Sequence, residues 1–307
     1  MTRARLILNP ASGRERATEY AWAISERLRE RYSNVEIVLT TGDGDAERAA
    51  RQAVTDGCGA IIVAGGDGTL NEALNGVFTE GALDRVTFGV IPLGTGNDFA
   101  TALDIPAEIE EAILVLLEQK TLAVDVGKVN GRAFLNTSGG GFIAEVSVAV
   151  TPQLKTIAGR LAYLVGGAHA LLDYEPVRAT VSAEPDGLRL GVGLYAFAVC
   201  NSRLIGGGRL IAPEAKIDDG LLDLCLIEAM STLDFIALAR KVAGGDHVND
   251  PRVHYVQASS VRMEFDREIR INTDGEVFPA TTCEYTILPR AATFFAGRAP
   301  FTVAASR

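Results

Sequence analysis

A glycine-rich stretch with one acidic side chain in its turn, GGDGTLNE at 65–72, directly follows an apolar run at 60–64. Glycine lets a backbone turn tightly and approach a ligand closely, because it has no Cβ. Free amides at the start of a following helix, together with the helix dipole, attract phosphate. We expect Thr69 to cap this helix, with Glu72 completing a capping box. Taken alone, the pattern fits a phosphate-binding loop and an ordinary capped turn equally well.

A second stretch of the same kind, LGTGNDF at 93–99, follows the apolar run at 87–92. Each stretch carries one acid, Asp67 or Asp98, and Mg²⁺ is commonly held by one or two carboxylates together with substrate phosphates. A third segment, NPASGR at 9–14, supplies Ser, Gly and Arg, which suit phosphate contacts. The three segments together predict a site for a metal-bound nucleotide.

The better-known phosphate motifs are absent from this sequence. It has no GxxxxGK[ST] loop and no GxGxxG after its first strand. It also lacks the HRD and DFG signatures of protein kinases. The nucleotide site is therefore of a different type.

The elements that position these loops follow from the hydrophobic pattern. Up to about residue 125, short apolar runs alternate with helical periods. This alternation predicts parallel strands joined by right-handed crossovers, with ligands bound at the carboxyl ends of the strands. The predicted strands are 5–8, 35–39, 60–64 and 87–92, and the predicted helices are 15–31, 45–56, 70–77 and 107–119.

The pattern changes after about residue 122, where segments become short, β-like and punctuated by glycine. Such a texture predicts an antiparallel sandwich or barrel. The predicted strands are 123–128, 132–138, 178–183, 190–200, 222–227, 260–264, 269–272 and 282–288, and the predicted helices are 159–172 and 232–243. The fold class is thus an α/β N-terminal domain with a parallel sheet, residues 1–124, followed by a mostly antiparallel β-sandwich domain, residues 125–288.

Composition limits the classes of function. The net charge of −10 argues against a nucleic-acid binder, which needs clustered Lys and Arg. No apolar run approaches the roughly 18 residues of a membrane-spanning helix, and four scattered cysteines argue against a disulfide framework. We therefore expect a cytoplasmic protein. Several arginines near the start fit either a solvated helix face or a patch for anionic headgroups. These are Arg3, Arg5, Arg14, Arg16, Arg27, Arg29 and Arg31.

Motifs in order along nearly the whole chain resemble the diacylglycerol kinase catalytic family. They are NPxSG at 9–13, GGDGTLNE at 65–72, PLGTGNDF at 92–99, Asn201, GGG at 206–208, AP at 212–213, AKIDDGLLD at 215–223 and NTDGE at 272–276. The resemblance is to the bacterial soluble lipid kinases of the YegS type in particular. It implies a nucleotide domain similar to phosphofructokinase and NAD kinase, to which the final segment 289–307 returns, and a β-rich domain for the lipid substrate.

The resemblance also implies roles for individual residues. Asp274 would be the general base for the acceptor hydroxyl. Glu276, Asp67 and Asp98 would form the acidic cluster around Mg²⁺ and the triphosphate, and Asp125 would belong to a supporting polar network.

A structural Mg²⁺ site would use Asp219 with the backbone carbonyls of Lys216 and Leu221. ATP would contact a larger set, which is Asn9, Ser12, Arg14, Thr41, Gly65, Gly66, Asp67, Gly68, Thr69, Glu72, Gly94, Thr95 and Asn97.

Two positions depart from the family pattern. Some relatives carry Lys at the position of Arg14, and some carry Arg at the position of Thr101. The first change keeps a cation for phosphate, whereas the second removes one.

The implied function is an ATP- and Mg²⁺-dependent lipid kinase that converts diacylglycerol to phosphatidic acid. Phosphatidylglycerol and sphingoid or ceramide-type lipids stay open as acceptors. NAD kinase is the alternative with a soluble acceptor, and a binding module without catalysis is a third reading. The expected partner is a lipid at the inner face of the membrane and not nucleic acid, with a homodimer open as an alternative to the monomer.

Overall fold

The computed structural model describes residues 2–12, 17–149, 174–185 and 187–301. The predicted helix at 159–172 lies outside these residues. The chain divides into two compact units. The first comprises Met1–Val126, Ile217–Asp219 and Leu288–Arg307, and the second comprises Gly127–Lys216 and Gly220–Ile287.

Alternating strands and helices build the first unit. They are β1 (Arg3–Leu8), α1 (Ala17–Leu28), β2 (Asn34–Leu39), α2 (Asp45–Thr55), β3 (Ala60–Gly65), α3 (Asp67–Thr79), β4 (Thr87–Pro92), α4 (Asp98–Ala102) and α5 (Ile109–Glu118). Strands β2, β1, β3 and β4 are neighbours in that order and run parallel. The predicted α/β domain with a parallel sheet is confirmed.

Apolar strands between helices explain this arrangement. Leu6 and Ile62 pack with Ile24 of α1 and Ile113 of α5 in one core cluster. Val63, which alternates with Ile62 along β3, is also fully buried. Because successive side chains of a strand point to opposite faces, both faces of this sheet are covered.

The second unit is mostly antiparallel. Its elements are the end of β5 (Thr121–Val129), β6 (Arg132–Phe134), β7 (Thr137–Gly141), α6 (Phe142–Ala149), β8 (Val177–Glu184), β9 (Leu188–Cys200), β10 (Leu204–Ile205), β11 (Arg209–Leu210), β12 (Leu222–Glu228), α7 (Thr232–Lys241), two 3₁₀ turns (Val242–Gly244 and Asp246–Asn249), β13 (Val253–Ala258), β14 (Ser260–Thr273) and most of β15 (Glu276–Phe295). Strands β13, β12, β9, β7, β14 and β15 are neighbours in that order, and β8 pairs with both β9 and β14. The predicted antiparallel domain is confirmed.

The last strand is longer than the pattern at 282–288 predicts. Its final residues leave the antiparallel sheet and pair in parallel with β4, where Thr293 lies opposite Thr87. Phe294 stacks on Phe88, with ring centroids 5.0 Å apart. Burial of these aromatic rings stabilises the end of the chain against the first unit's sheet.

Two local predictions need correction, and one helix was not predicted. The predicted strand 132–138 is two strands, β6 and β7, separated by a turn. The predicted strands 260–264 and 269–272 are one strand, β14, with a register shift between Glu264 and Ile269. Helix α4 has only five residues, too few to produce a helical period in the sequence.

The described arginines near the start are divided between a buried position and a solvated helix face. Arg5 is buried and contacts Glu36 and Asp56. Arg27 pairs with Glu30 at 2.6 Å. Arg29 and Glu26 form another pair on the same helix. The described arginines of α1 thus match the solvated, ion-paired helix face.

Across the described residues, every helix is too short or too polar to cross a membrane.

Candidate active site

The three glycine-containing segments of the first unit meet. A Cβ added to Gly94 would lie 2.6 Å from the Cα of Gly66 and 2.9 Å from Oδ1 of Asn97. Nδ2 of Asn9 donates a hydrogen bond to Oγ1 of Thr69 at 3.0 Å. Only glycine at position 94 permits the close approach of the two loop backbones. The structure therefore brings together the loops that follow β1, β3 and β4.

Asp67 connects the loop after β3 to the loop after β4. Its carboxylate accepts hydrogen bonds from the backbone amides of Asp98 and Phe99, both at 3.0 Å. These amides begin helix α4 and have no partner within the helix, so an outside acceptor satisfies them. Asn97 closes its own loop, because its side chain accepts from the Gly94 amide at 3.0 Å and donates to the Gly94 carbonyl at 2.8 Å.

The capping box predicted for α3 is wrong. The helix begins at Asp67, and its N-cap is Gly66, which has no side chain to accept from the first amides. Thr69 therefore lies inside the first turn. The carboxylate of Glu72 accepts instead from the amides of Gly44 and Ala46, at 3.1 and 3.2 Å, near the start of α2.

The remaining residues predicted to contact the nucleotide have varied surroundings in the first unit. The Ser12 amide donates to the Asn9 carbonyl at 3.2 Å. Thr41 donates from its amide and its hydroxyl to Asp45, both at 2.7 Å, and these hydrogen bonds lower the pKa of Asp45. Thr95 is exposed. Arg14 lies outside the described residues.

Asp274 occupies the tight turn between β14 and β15. Thr273 pairs with Glu276, and Asp274 and Gly275 have φ values of 46° and 99°, which suit a two-residue hairpin. The side chain of Asp274 has a further set of contacts. Its carboxylate accepts from the backbone amides of residues 135–137, with the shortest distance, 2.7 Å, to Leu135.

Glu276, at the start of β15, forms an ion pair with Arg132 of β6. Sequence reasoning did not single out Arg132. The only available signal was its position near the start of a predicted strand, which says nothing about a partner 144 residues away.

Asp125 lies at a junction of three segments of the first unit. It is fully buried, and its carboxylate accepts from the Arg290 amide at 2.6 Å. Its own amide donates to the Ile217 carbonyl at 2.7 Å, and the Ile217 amide donates to the Phe301 carbonyl at 2.8 Å. These contacts join β5, the segment Ile217–Asp219 and the end of the chain.

No group of three or more His, Cys, Asp or Glu within the described ranges is arranged to hold a metal ion. The site predicted at Lys216, Asp219 and Leu221 uses one carboxylate and two backbone carbonyls, so it stays a prediction.

Comparison with known families agrees with the motifs. The model of the diacylglycerol kinase catalytic domain matches residues 3–129. The model of the YegS C-terminal NAD kinase beta sandwich-like domain matches residues 139–296. A diacylglycerol kinase of Bacillus subtilis (strain 168) is 37% identical over 278 residues, which cover 90% of each chain. This chain belongs to the diacylglycerol kinase family.

Other relatives agree with membership in the diacylglycerol kinase family. A diacylglycerol kinase of Staphylococcus aureus (strain MRSA252) is 32% identical over 274 residues, covering 89% of this chain and 86% of the relative. A crystal structure of a diacylglycerol kinase from Bacillus anthracis str. Sterne superposes with a TM-score of 0.75 at 25% identity, covering 97% of this chain and 98% of the other. The chain is therefore a phosphotransferase with an alcohol group as acceptor and, at the level of its family, a lipid kinase.

Proposed function

We propose that this chain transfers the γ-phosphate of ATP, with Mg²⁺, to the hydroxyl of diacylglycerol, giving phosphatidic acid. The observation that carries the proposal is the direct contact of the two glycine-rich loops at Gly66 and Gly94. That contact makes one phosphate-binding surface from two loops. The relatives named diacylglycerol kinase support the choice of acceptor.

The start of α3 is suited to bind the triphosphate. Its N-cap is a glycine without a side-chain acceptor, and the helix runs for 13 residues behind it. Amides at such a helix end, assisted by the helix dipole, favour phosphate oxygens. An added Cβ on Gly68 would meet nothing within 4 Å, so space is open next to these amides.

The acids beside this surface fit Mg²⁺, which prefers hard oxygen ligands. Each oxygen of Asp67 accepts an amide hydrogen bond from the start of α4, which fixes the direction of this carboxylate. Asp67 and Asp98 would hold the ion, and Glu276 stays a predicted acid of the reaction. When bound, Mg²⁺ would neutralise charge on the transferring phosphate.

Asp274 is the proposed general base. The amides of residues 135–137 donate to its carboxylate and orient it. Phosphoryl transfer depends mainly on positioning and charge neutralisation. A positioned base contributes typically about 10²–10⁴-fold to the rate.

A cavity of about 550 Å³ in the second unit is a candidate for the acceptor. It lies along the β14–β15 hairpin, where the apolar Ile269, Val277 and Phe278 are mixed with charged side chains, which are Glu145, Arg267, Glu268 and Arg270. Its size is within the usual range of ligand sites. Phosphatidylglycerol and sphingoid lipids stay alternatives, because this mixed lining does not by itself distinguish among lipids.

An acceptor screen tests the proposal. The purified full chain is incubated with γ-labelled ATP and Mg²⁺, and separately with vesicles of diacylglycerol, phosphatidylglycerol, ceramide or sphingosine, or with NAD⁺. We expect label in an organic-extractable product that migrates as phosphatidic acid. Label confined to another lipid reassigns the acceptor, and label in NADP⁺ replaces the lipid kinase by an NAD kinase. Binding of ATP without any transfer supports a binding module.

A further inference from the structure

One short segment of the second unit, residues 132–137, contacts both Asp274 and Glu276. The amides of residues 135–137 donate to the carboxylate of Asp274. Arg132, the first residue of β6 in the same segment, donates from Nη2 to Oε2 of Glu276. Backbone amides of this segment therefore hold Asp274, and a side chain of the same segment holds Glu276.

The Arg132–Glu276 ion pair contributes little to the free energy of unfolding. The side chains are 37% and 38% exposed, and exposed ion pairs contribute little because solvent screens them. Both partners are nevertheless well anchored at the backbone. Arg132 pairs with Val129 across the β5–β6 hairpin, and Glu276 pairs with Thr273 across the turn. The pair thus fixes the direction of the Glu276 carboxylate relative to the turn that carries Asp274.

We propose that Arg132 is a positioning residue for Glu276 in the phosphotransfer reaction. A guanidinium is planar and presents its donors in a fixed fork, so it orients a carboxylate more strictly than an ammonium does. Its positive charge also offsets the repulsion between the carboxylates of Asp274 and Glu276. This inference rests on the proposed function, because it takes Glu276 as one of the acids that serve the Mg²⁺-bound triphosphate.

A double-mutant cycle tests the pairing. Arg132→Ala, Glu276→Gln and the double variant of the full chain are assayed with labelled ATP, diacylglycerol vesicles and a titration of Mg²⁺. Loss of a residue that orients a metal-site carboxylate typically costs about 10–100-fold in metal affinity or activity. We expect a loss of that size in kcat, or in the Mg²⁺ concentration for half-maximal rate, with KM for ATP nearly unchanged. In the Glu276→Gln background, Arg132→Ala should cause almost no further loss.

Two variants separate positioning from a general effect of charge or folding. Arg132→Lys keeps the positive charge but loses the planar fork, so it should recover only part of the activity lost in Arg132→Ala. Arg262→Ala is the matched control, because Arg262 is also a half-exposed arginine, lies on β14 and pairs with Glu264 at 2.8 Å. It should leave kcat unchanged. The midpoint of thermal unfolding should be the same for all of these variants and the parent chain.

Several outcomes would overturn the inference. One is an undiminished rate in Arg132→Ala. Another is that Arg132→Ala lowers the rate by the same factor in the parent chain and in the Glu276→Gln background. If Arg132→Ala does not fold, the same cycle is made with Arg132→Gln, and the same criteria apply. An active parent chain with an unaffected Arg132→Ala variant overturns this inference alone, whereas a parent chain that labels no lipid overturns the proposed function.

Discussion

The carboxylate of Asp67 accepts a hydrogen bond from the backbone amide of Asp98 at 3.0 Å. The glycine-rich loop after β3 therefore caps helix α4, which begins in the glycine-rich loop after β4. This contact makes the two loops depend on each other. A change in one loop should therefore alter both the stability of the first unit and the binding of nucleotide.

Asp67→Ala should lower stability and ATP affinity together. The change leaves the amides of Asp98 and Phe99 without this acceptor, and loss of a helix-capping side chain costs roughly 0.5–2 kcal/mol. Thermal unfolding and equilibrium binding of ATP measure the two effects. Asp84→Ala, which removes an exposed acid of the same unit, is the control. An unfolding midpoint equal to that of the control would contradict the capping role.

Gly94→Ala should weaken nucleotide binding by about 5–150-fold, which corresponds to about 1–3 kcal/mol. The new Cβ would lie 2.6 Å from the Cα of Gly66, and backbone cannot yield as a flexible side chain can, so the loops must separate. Such overpacking costs typically about 1–3 kcal/mol. Gly191→Ala is the matched control, because nothing lies within 4 Å of its added Cβ. Wild-type affinity for ATP in Gly94→Ala would show that the close approach is not needed.

Gly297→Ala should destabilise the end of the chain. Its Cβ would lie 2.0 Å from the Asp104 carbonyl oxygen, and the Gly297 amide donates to the Leu103 carbonyl at 2.8 Å. The Asp104 carboxylate also accepts from the amides of Arg298 and Ala299, so this segment is attached just after α4. We expect a loss of about 1–3 kcal/mol. Denaturant unfolding measures it, with Gly42→Ala, whose Cβ meets nothing within 4 Å, as the control.

His247 should lower the free energy of unfolding in mild acid. Its ring is fully buried and Nε2 lies 3.1 Å from the Ile211 carbonyl, and burial lowers its pKa below the ordinary 6.5. The unfolded chain then binds the proton more readily than the folded chain. This contribution to stability is complete above about pH 6.5 and is lost as the pH falls from there through the lowered pKa.

His247→Gln tests this sign, because glutamine can still donate to the carbonyl and does not titrate. The difference between unfolding midpoints at pH 7.5 and pH 5.5 should be smaller in the variant. An equal difference would mean that other groups cause the acid sensitivity.

Asp274→Asn should reduce kcat by about 10²–10⁴-fold, because the amide cannot act as a base. ATP affinity should change little if the loops after β1, β3 and β4 bind the nucleotide. Asparagine also places an NH₂ group against the donating amides of residues 135–137, so thermal unfolding must be measured alongside the rate. A wild-type rate in a folded variant would remove Asp274 from the role of base.

The amino-acid sequence by itself determined the strands and the longer helices of the first unit and the phosphate chemistry. Apolar strands such as Ala60–Gly65 are short and continuous, and glycine-rich turns follow two of them directly. These are local signals, because strand burial and tight turns depend on neighbouring residues. The motif order was equally visible, and the family comparison confirms what it implied for the class of enzyme.

Only the tertiary structure decided which side chains hold one another. Asp67 caps α4 across 31 residues, Glu72 contacts the start of α2, and Arg132 reaches Glu276 across 144 residues. The capping-box spacing at Thr69 and Glu72 was misleading for the same reason. A carboxylate binds whichever unsatisfied amides or cations the folded chain brings within about 3 Å, and that distance depends on strand order and register instead of sequence spacing.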